Sequence, residues 1–317
     1  MSVLFINEAE VDRLLDIRQA IDTVEQAFGQ LATGRAMNVP RVRAKAQGIV
    51  LHTMSAASDD LGLLGVKCYS TTRHGARFHL HLYEQASGRL LAIVEAGRLG
   101  QLRTGAATGV AVSFLAPPGA SELGLFGTGL QAQTQLAAVA AVRPIKRAFV
   151  YSRHEESREA FAEHFSAELG LEIVPVDRPQ EAVEDLPIVV TATTSSVPVF
   201  DGNWLSDDAV VCAVGSNWLT RAEIDATVVR RADNIVCDSI EACRREAGDL
   251  VDALEKGIFD WARAFELADV VAGRAALRKR HSVSLFKSVG LAIEDLALGA
   301  RLLTHARSQG VGTQLPL

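Results

Sequence analysis

The sequence predicts an α/β protein that contains a doubly wound parallel β-sheet of the Rossmann type and a second, α+β domain. Three observations support this fold class. The chain of 317 residues is long enough for two hydrophobic cores. After residue 119, short apolar segments alternate with helix-like segments, as in a parallel sheet covered by helices. Before that point, a two-residue hydrophobic period predicts antiparallel strands.

The α+β domain is predicted over residues 1–118 and about 290–317. Residues 9–35 have apolar side chains at helical spacing, which predicts that the domain starts with amphipathic helical structure. From Arg41 to Val94 the period drops to two and turn residues separate the apolar runs, which is typical of an antiparallel meander. A last helix, from about Val289 to Ala306, is expected to pack against this domain.

The parallel sheet is predicted over residues 119–289. Its strands are expected at Leu123–Phe126, Arg147–Tyr151, Leu171–Pro175, Ile188–Thr193, Ala209–Val214 and Asn234–Cys237. Most are separated by ten to twenty residues of helix-like sequence, including Gln131–Val142 and Glu155–Leu169. This alternation predicts a doubly wound sheet.

A glycine-rich turn follows the first of these strands. It contains Gly127, Thr128, Gly129, Leu130 and Gln131, and a helix begins there. Such a turn directs backbone N–H groups at a diphosphate, on the positive end of the helix dipole. The alternative is a tight turn without a ligand, but its position at the start of a βαβ unit favours a dinucleotide. We also expect Thr193 and Thr194, after a later strand, to contact the cofactor.

The end of the second strand indicates which dinucleotide is bound. Enzymes that use NAD usually place Asp or Glu there, whereas this chain has Ser152 and Arg153. A guanidinium can pair with a 2′-phosphate and a hydroxyl can donate a hydrogen bond. We therefore predict a preference for NADP(H), with NAD(H) also possible. In the alternative interpretation Arg153 is solvated and Glu155 or Glu156 selects the cofactor.

Composition excludes several other classes. The net charge of −6 argues against nucleic-acid and anionic-membrane partners. The N-terminus has no signal-peptide pattern and no apolar stretch is long enough to span a bilayer. The four cysteines form no C-x-x-C pair, so we expect reduced thiols and a cytoplasmic protein. No metal is expected, because His79 and His81 share a strand face without other ligands at suitable spacing.

Four motifs resemble the ornithine cyclodeaminase/μ-crystallin family. They are Arg103-Thr-Gly-Ala-Ala-Thr-Gly, Gly127-Thr-Gly-Leu-Gln-Ala, Ala213-Val-Gly and Leu285-Phe-Lys-Ser-Val-Gly-Leu-Ala-Ile-Glu-Asp, in that order along the chain. The resemblance implies a homodimer joined through the sheet of the α+β domain, which also binds the substrate. It places Arg41, Lys67 and Arg103 at the substrate and Thr104, Ser288 and Gly290 near the cofactor. Glu294 and Asp295 are interpreted as partners of the helix dipole.

The physical chemistry of these residues agrees with an amino-acid or imino-acid substrate. A guanidinium grips a planar carboxylate with two hydrogen bonds. Lys67 interrupts an apolar strand, where an unpaired ammonium would be costly. For Arg41 and Arg103, the alternative is a surface ion pair.

One position departs from the family pattern. In ornithine cyclodeaminases an aspartate that acts as the acid/base follows the Val-Gly strand end, and this chain has Asn217 there. An amide hydrogen-bonds but does not transfer protons near neutral pH. We therefore assign catalytic roles to Lys67 and Asn217 in an NAD(P)-dependent oxidoreductase that acts on the C–N bond of a small α-imino or α-amino acid. The alternatives are an ornithine cyclodeaminase and a non-catalytic, crystallin-like protein that binds NADPH and a ligand.

Overall fold

The computed structural model describes residues 2–278 and 281–316. The chain divides into two compact units, one made of Met1–Ala106 and Gly290–Leu317 and the other of Ala107–Val289. The first division lies inside a helix. The sequence analysis sets the domain boundary at residues 118 and 119, in the Pro-Pro-Gly turn that follows this helix.

The secondary structure follows the chain in this order. The first part of unit 1 contains β1 (Ser2–Ile6), α1 (Glu8–Leu14), α2 (Ile17–Ala32), β2 (Ala36–Ala46), β3 (Ile49–Ser58), β4 (Leu63–Thr72), β5 (Gly75–Glu84), β6 (Leu90–Glu95) and the start of α3 (Gly97–Leu115). Unit 2 continues with β7 (Glu122–Phe126), α4 (Leu130–Val142), β8 (Arg147–Tyr151), α5 (Glu155–Leu169), β9 (Glu172–Pro175), β10 (Ile188–Thr191), β11 (Val210–Ala213), α6 (Ala226–Arg231), β12 (Ala232–Cys237), α7 (Ile240–Glu246), α8 (Val251–Glu255), β13 (Ala264–Glu266), α9 (Leu267–Val271) and β14 (Val283–Lys287). Unit 1 ends with α10 (Ala292–Gln309) and β15 (Thr313–Pro316).

Unit 1 is built on a seven-stranded sheet in the order β15-β1-β6-β5-β4-β3-β2. Strands β2 to β6 pair antiparallel with their neighbours, which confirms the predicted meander. Strand β1 pairs parallel with β6, and β15 pairs antiparallel with β1. The sequence analysis did not predict these two strands. Helix α10 packs against α2 and against β2 to β5, so the core of this unit lies between the sheet and its helices.

The helical structure predicted over residues 9–35 is present as two helices, α1 and α2. Asp16 separates them and caps α2, since its side chain accepts a hydrogen bond of 2.8 Å from the backbone N–H of Gln19. The hydrophobic period continues across this break, and so the apolar pattern alone did not reveal it.

Unit 2 is built on an eight-stranded sheet in the order β13-β12-β14-β11-β10-β7-β8-β9. All its neighbouring strands are parallel, which confirms the predicted Rossmann-type sheet. The strand order reverses between β7 and β10. At such a reversal the loops after the two strands diverge and leave a crevice at their carboxyl ends, where ligands of open α/β sheets bind. Across the described ranges, no helix combines the length and the apolar character needed to cross a membrane.

Candidate functional site

The glycine-rich turn joins β7 to α4 at the strand-order reversal. Gly127 has φ +106°, a backbone conformation that favours glycine. A Cβ atom there would lie 2.5 Å from the carbonyl oxygen of Ala192, just beyond β10. The backbone of the turn therefore passes so close to the next strand that a larger residue would displace it.

Gly129 is the N-cap of α4, in extended conformation, and open space surrounds the position where a Cβ atom would lie. Among the described residues, no side chain caps this helix at its N-cap position. The N–H groups of the first helical turn are therefore left for an external acceptor, on the positive end of the dipole. These features fit the diphosphate of a dinucleotide.

A cavity of about 320 Å³ lies beside this turn in unit 2. It is lined by the ends of β7, β8 and β10 and the loops that follow them. The cavity brings together the predicted cofactor residues Gly127, Thr128, Gly129, Ser152, Arg153, Thr193 and Thr194. Leu130 and Gln131, also predicted to bind the cofactor, do not line it; Leu130 is exposed and Gln131 is half-buried in the first turn of α4.

The end of β8 presents a cation to this cavity. Ser152 and Arg153 are among its lining residues, and the Arg153 side chain is exposed. Glu155 and Glu156 lie in the first turn of α5 and do not line the cavity. Within residues 2–278 and 281–316, no carboxylate forms an ion pair with Arg153. This guanidinium is therefore open to an anionic ligand.

The three predicted substrate cations are all buried in unit 1. Arg41 lies on β2 and is 7% exposed, Lys67 lies on β4 and is 2% exposed, and Arg103 lies on α3 and is 9% exposed. Charged groups are rarely buried without partners, because their removal from water is costly. The alternative of surface ion pairs for the two arginines does not fit this burial.

Two carboxylates at the start of α10 are the partners of Lys67 and Arg103. The Lys67 Nζ atom lies 2.5 Å from Oδ1 of Asp295, and Arg103 Nη1 donates to Oε2 of Glu294 at 3.0 Å. The Nε atom of Arg103 lies 3.6 Å from the same Asp295 oxygen. Both carboxylates are fully buried. Their position in the first turn of α10 agrees with the predicted role of helix-dipole partners. Their ion pairs with Lys67 and Arg103 were not predicted from the sequence.

This network changes the protonation behaviour of Lys67. Burial disfavours its charged form, and Arg103 and Arg41 oppose it further; although Asp295 favours the ammonium, the pKa of Lys67 falls to about 8. Burial acts on Arg103 in the same direction, but the attraction of Asp295 and Glu294 outweighs it and raises the pKa of the guanidinium. Lys67 is therefore poised to exchange a proton near neutral pH, whereas Arg103 remains a permanent cation.

Gly290 lies close to the guanidinium groups of Arg41 and Arg103. Arg41 Nη2 donates to its carbonyl oxygen at 3.4 Å, and its φ of +83° lies in the region that favours glycine. A Cβ atom at this position would overlap the guanidinium of Arg103. The structure thus places Gly290, predicted to bind the cofactor, beside the two arginines predicted to bind the substrate.

A stack of rings runs beside the cations on β3, β4 and β5. The ring centroids of His52 and Tyr69 are 4.2 Å apart, and those of Tyr69 and Phe78 are 4.9 Å apart. The Lys67 ammonium lies 5.5 Å from the centre of the Phe78 ring, and the Arg41 guanidinium lies 6.0 Å from that of Tyr69. This stack of rings was not predicted from the sequence, although the strand register brings the three rings side by side.

The remaining predicted residues occupy separate positions. Thr104 is buried in α3, where its hydroxyl donates to the carbonyl of Gly100 at 2.7 Å. Ser288 follows β14, and its hydroxyl donates to Asp238 at 2.8 Å. Asn217 is half-buried in the loop after β11. None of the three lines the cavity beside the glycine-rich turn.

His79 and His81, considered above as metal ligands, lie on β5. In the part of the chain that the structure describes, no three His, Cys, Asp or Glu side chains come together as a potential metal site.

Comparison with known proteins identifies relatives along almost the whole chain. The profile of the ornithine cyclodeaminase/mu-crystallin family matches residues 2–309. The chain is 31% identical to Δ1-pyrroline-2-carboxylate reductase of Bacillus cereus, over 99% of both sequences.

Two solved structures extend this similarity to the fold. Thermococcus litoralis Δ1-pyrroline-2-carboxylate reductase, in complex with NADH and L-proline, is 32% identical with a TM-score of 0.93, covering 99% of this chain and 100% of that one. An archaeal alanine dehydrogenase dimer with bound NAD is 28% identical with a TM-score of 0.94, covering 100% of both chains. These relatives hold a nicotinamide cofactor in the same fold.

A substitution at Gly129, the N-cap of α4, distinguishes an effect on cofactor binding from an effect on stability. Gly129→Asp should weaken binding of reduced nicotinamide dinucleotides at least about tenfold, because its carboxylate repels the diphosphate and accepts the N–H groups of the helix. The same bonds should leave the melting temperature unchanged or raise it. Fluorescence titration and thermal unfolding measure the two effects. Gly119→Asp, at an open position, serves as the control; unchanged affinity in Gly129→Asp would exclude the turn as the diphosphate site.

Proposed function

Because this chain belongs to the ornithine cyclodeaminase/mu-crystallin family, we propose that it is a nicotinamide-dependent oxidoreductase acting on the C–N bond of a small α-imino or α-amino acid. The observation that carries this proposal is the buried group of Arg41, Lys67 and Arg103. Lys67 and Arg103 pair with the carboxylates Asp295 and Glu294, and Arg41 hydrogen-bonds to Gly290 close to Arg103. Guanidinium groups held close together suit the planar carboxylate of an amino or imino acid.

The bound nicotinamide supplies or accepts the hydride in this reaction. The side chains of the protein bind and orient the substrate and deliver a proton to it. Arg41 and Arg103 grip the substrate carboxylate; Gly290 accepts a hydrogen bond from Arg41, and its lack of a side chain leaves room for the guanidinium of Arg103. Lys67 donates a proton to the substrate nitrogen during reduction, since its lowered pKa matches neutral conditions. The stacked rings of Tyr69 and Phe78 provide an apolar surface for the rest of a small, flat substrate.

Reduction of a cyclic imino acid is favoured over cyclodeamination. Cyclodeamination needs repeated proton transfers, whereas reduction of a preformed imine mainly requires orientation beside the nicotinamide. Asn217 replaces the family aspartate and cannot transfer those protons near neutral pH. The reductases of Bacillus cereus and Thermococcus litoralis support the same choice. We propose Δ1-pyrroline-2-carboxylate or its six-membered homologue as substrate, followed by a linear keto acid with ammonia.

We also propose that NADP(H) is preferred to NAD(H). Arg153 and Ser152 line the cavity at the end of β8, where a carboxylate would be expected in an NAD enzyme. The two solved structures described above contain NADH or NAD, so the preference rests on Arg153 of this chain.

A homodimer is proposed from an exposed apolar face on the sheet of unit 1. Large apolar side chains on β2, β3 and β4 are exposed: Met37, Val39, Val42, Leu51 and Leu64. Contiguous apolar surface of this kind is typical of an interface. The archaeal alanine dehydrogenase, itself a dimer, supports this assembly.

The central test is turnover. Oxidation of NADPH should follow the addition of Δ1-pyrroline-2-carboxylate or its six-membered homologue, measured by the absorbance of the reduced nicotinamide. Ornithine with catalytic amounts of oxidised cofactor should release no ammonia until Asn217→Asp restores a carboxylate. Tight NADPH binding without turnover on any imine or keto acid would instead support the non-catalytic alternative.

Cofactor choice is tested at Arg153. Arg153→Ala should raise the Kd for NADPH by about 10- to 100-fold, the range expected when a charge-assisted hydrogen bond is lost. The Kd for NADH should change little. Arg147→Ala, at the start of the same strand and paired with Glu172, is the control. Comparable affinities of the unmodified protein for NADPH and NADH would refute the preference.

The pH profile tests the role of Lys67. For reduction, kcat/KM should be level below pH 8 and fall above it, as Lys67 loses the proton it donates. Asp295→Asn removes the charge that holds this pKa up, so the fall should begin at lower pH. Glu294→Gln changes the partner of Arg103 and should leave the midpoint in place. Because the substrate is the same throughout, its own ionisation cancels; identical midpoints in all three proteins would assign the proton to another group.

A further inference from the structure

A chain of three buried charges lies at the carboxyl edge of the sheet in unit 2. The Nζ atom of Lys287 is 2.7 Å from Oδ2 of Asp249, and Oδ1 of Asp249 accepts the backbone N–H of Glu223 at 2.6 Å. All three residues are fully buried. None is part of the proposed chemistry, although Lys287 belongs to a family motif of the sequence.

Glu223 ties together the ends of two neighbouring strands. Its Oε1 atom accepts the N–H of Thr193 at 2.6 Å, and its Oε2 atom accepts the hydroxyl of Thr191 at 2.9 Å and the N–H of Gly215 at 2.7 Å. Thr191 ends β10, Thr193 lies in the loop that follows it, and Gly215 follows β11. One carboxylate thus holds the loop that lines the dinucleotide cavity and the loop that carries Asn217.

Lys287 holds the second of these loops from the other side. Its ammonium donates to the carbonyl oxygens of Ala213 at 3.2 Å and Ser216 at 2.8 Å. Asn217 is the next residue along the chain. The backbone that leads to Asn217 is therefore anchored twice, by the N–H of Gly215 to Glu223 and by the carbonyl of Ser216 to Lys287.

Stability alone does not account for this arrangement. Well-packed apolar side chains in place of a buried ion pair are often neutral or stabilising, because burial of charge costs solvation energy. Burial and the charge of Asp249 raise the pKa of Glu223, which shows that its position opposes ionisation. Nevertheless, the anchored backbone lies after β10 and β11, at the edge where α/β sheets bind their ligands.

We infer that Glu223, Asp249 and Lys287 are positioning residues that hold Thr193 against the cofactor and Asn217 in its working conformation. Asp249 links the two anchors, since it binds the ammonium of Lys287 and the backbone of Glu223. This inference rests on the proposed function, but its effect on cofactor binding is measurable without turnover.

The first experiment compares Glu223→Gln with a matched buried polar residue. The Gln amide would direct N–H toward an N–H of Thr193 or Gly215, so the loops should separate. We expect a rise of about tenfold in the Kd for NADPH and a fall of about 100-fold in kcat, the scale of a small misplacement of reacting groups. Asn234→Ala is the control. It removes buried hydrogen bonds to Arg278 and Ser284 at the start of β12, and it should lower the melting temperature with kcat unchanged.

The second experiment separates positioning from folding. Lys287→Met alone leaves the Asp249 charge buried without its cation and should lower the melting temperature strongly. The double variant Lys287→Met/Asp249→Asn removes both charges and keeps an oxygen for the Glu223 N–H, so stability should recover. If the pair positions the loop, kcat stays low in the double variant because the anchor of Ser216 is still missing. Recovery of kcat together with stability would overturn the inference.

The outcomes also distinguish this inference from the proposed function. If the unmodified protein reduces no imine, the function fails, but the NADPH titrations still test Glu223. If the unmodified protein is active and Glu223→Gln matches it in both Kd and kcat, only the positioning role is refuted.

Discussion

The organisation of unit 1 depends on the burial of two carboxylates at the first turn of α10. Lys67 and Arg103 lie on different elements, and without nearby anions the burial of their charges would strongly destabilise the protein. Glu294 and Asp295 supply those anions, and the apolar residues of α10 hold them between the sheet and α2. The packing of one helix therefore decides where the positive charges of Lys67 and Arg103 lie and how strongly each retains its proton.

Unit 2 also contains buried charged side chains, but these bind backbone groups of its loops. There Lys287 pairs with Asp249, and the side chains of Lys287 and Glu223 bind backbone groups of the loops. Parallel strands end with backbone groups that lack partners in the sheet, and loops must satisfy them. Buried charges do this more directionally than apolar contacts. In both units, buried charged side chains thus hold neighbouring segments of the chain in place.

Local patterns in the sequence predicted much of this. The glycine turn, the parallel strands β7 to β12 and the meander were recognisable because each has its own period or turn residues. The strand β14 was missed because Ser284 and Lys287 interrupt its apolar character, and their partners are distant in sequence.

The site was predictable only in part, for the same reason. A lysine inside an apolar strand signalled that Lys67 needs a partner, but nothing near it in sequence identifies Asp295, which is 228 residues away. Glu294 and Asp295 satisfy the rule for acidic residues at a helix N-terminus, so their ion pairs with the cations were not apparent. Contacts of this kind arise from tertiary packing, which periodicity does not encode.

The stacked rings carry a consequence for acid tolerance. His52 is enclosed by its neighbours and lies near Arg43 and Arg41, so burial first and the two arginines next lower its pKa to about 4. An ordinary histidine would gain charge as a cell acidifies by a unit or two and would repel the nearby guanidinium groups. This one stays neutral throughout that interval. His52 therefore adds no positive charge beside Arg41 at mildly acidic pH.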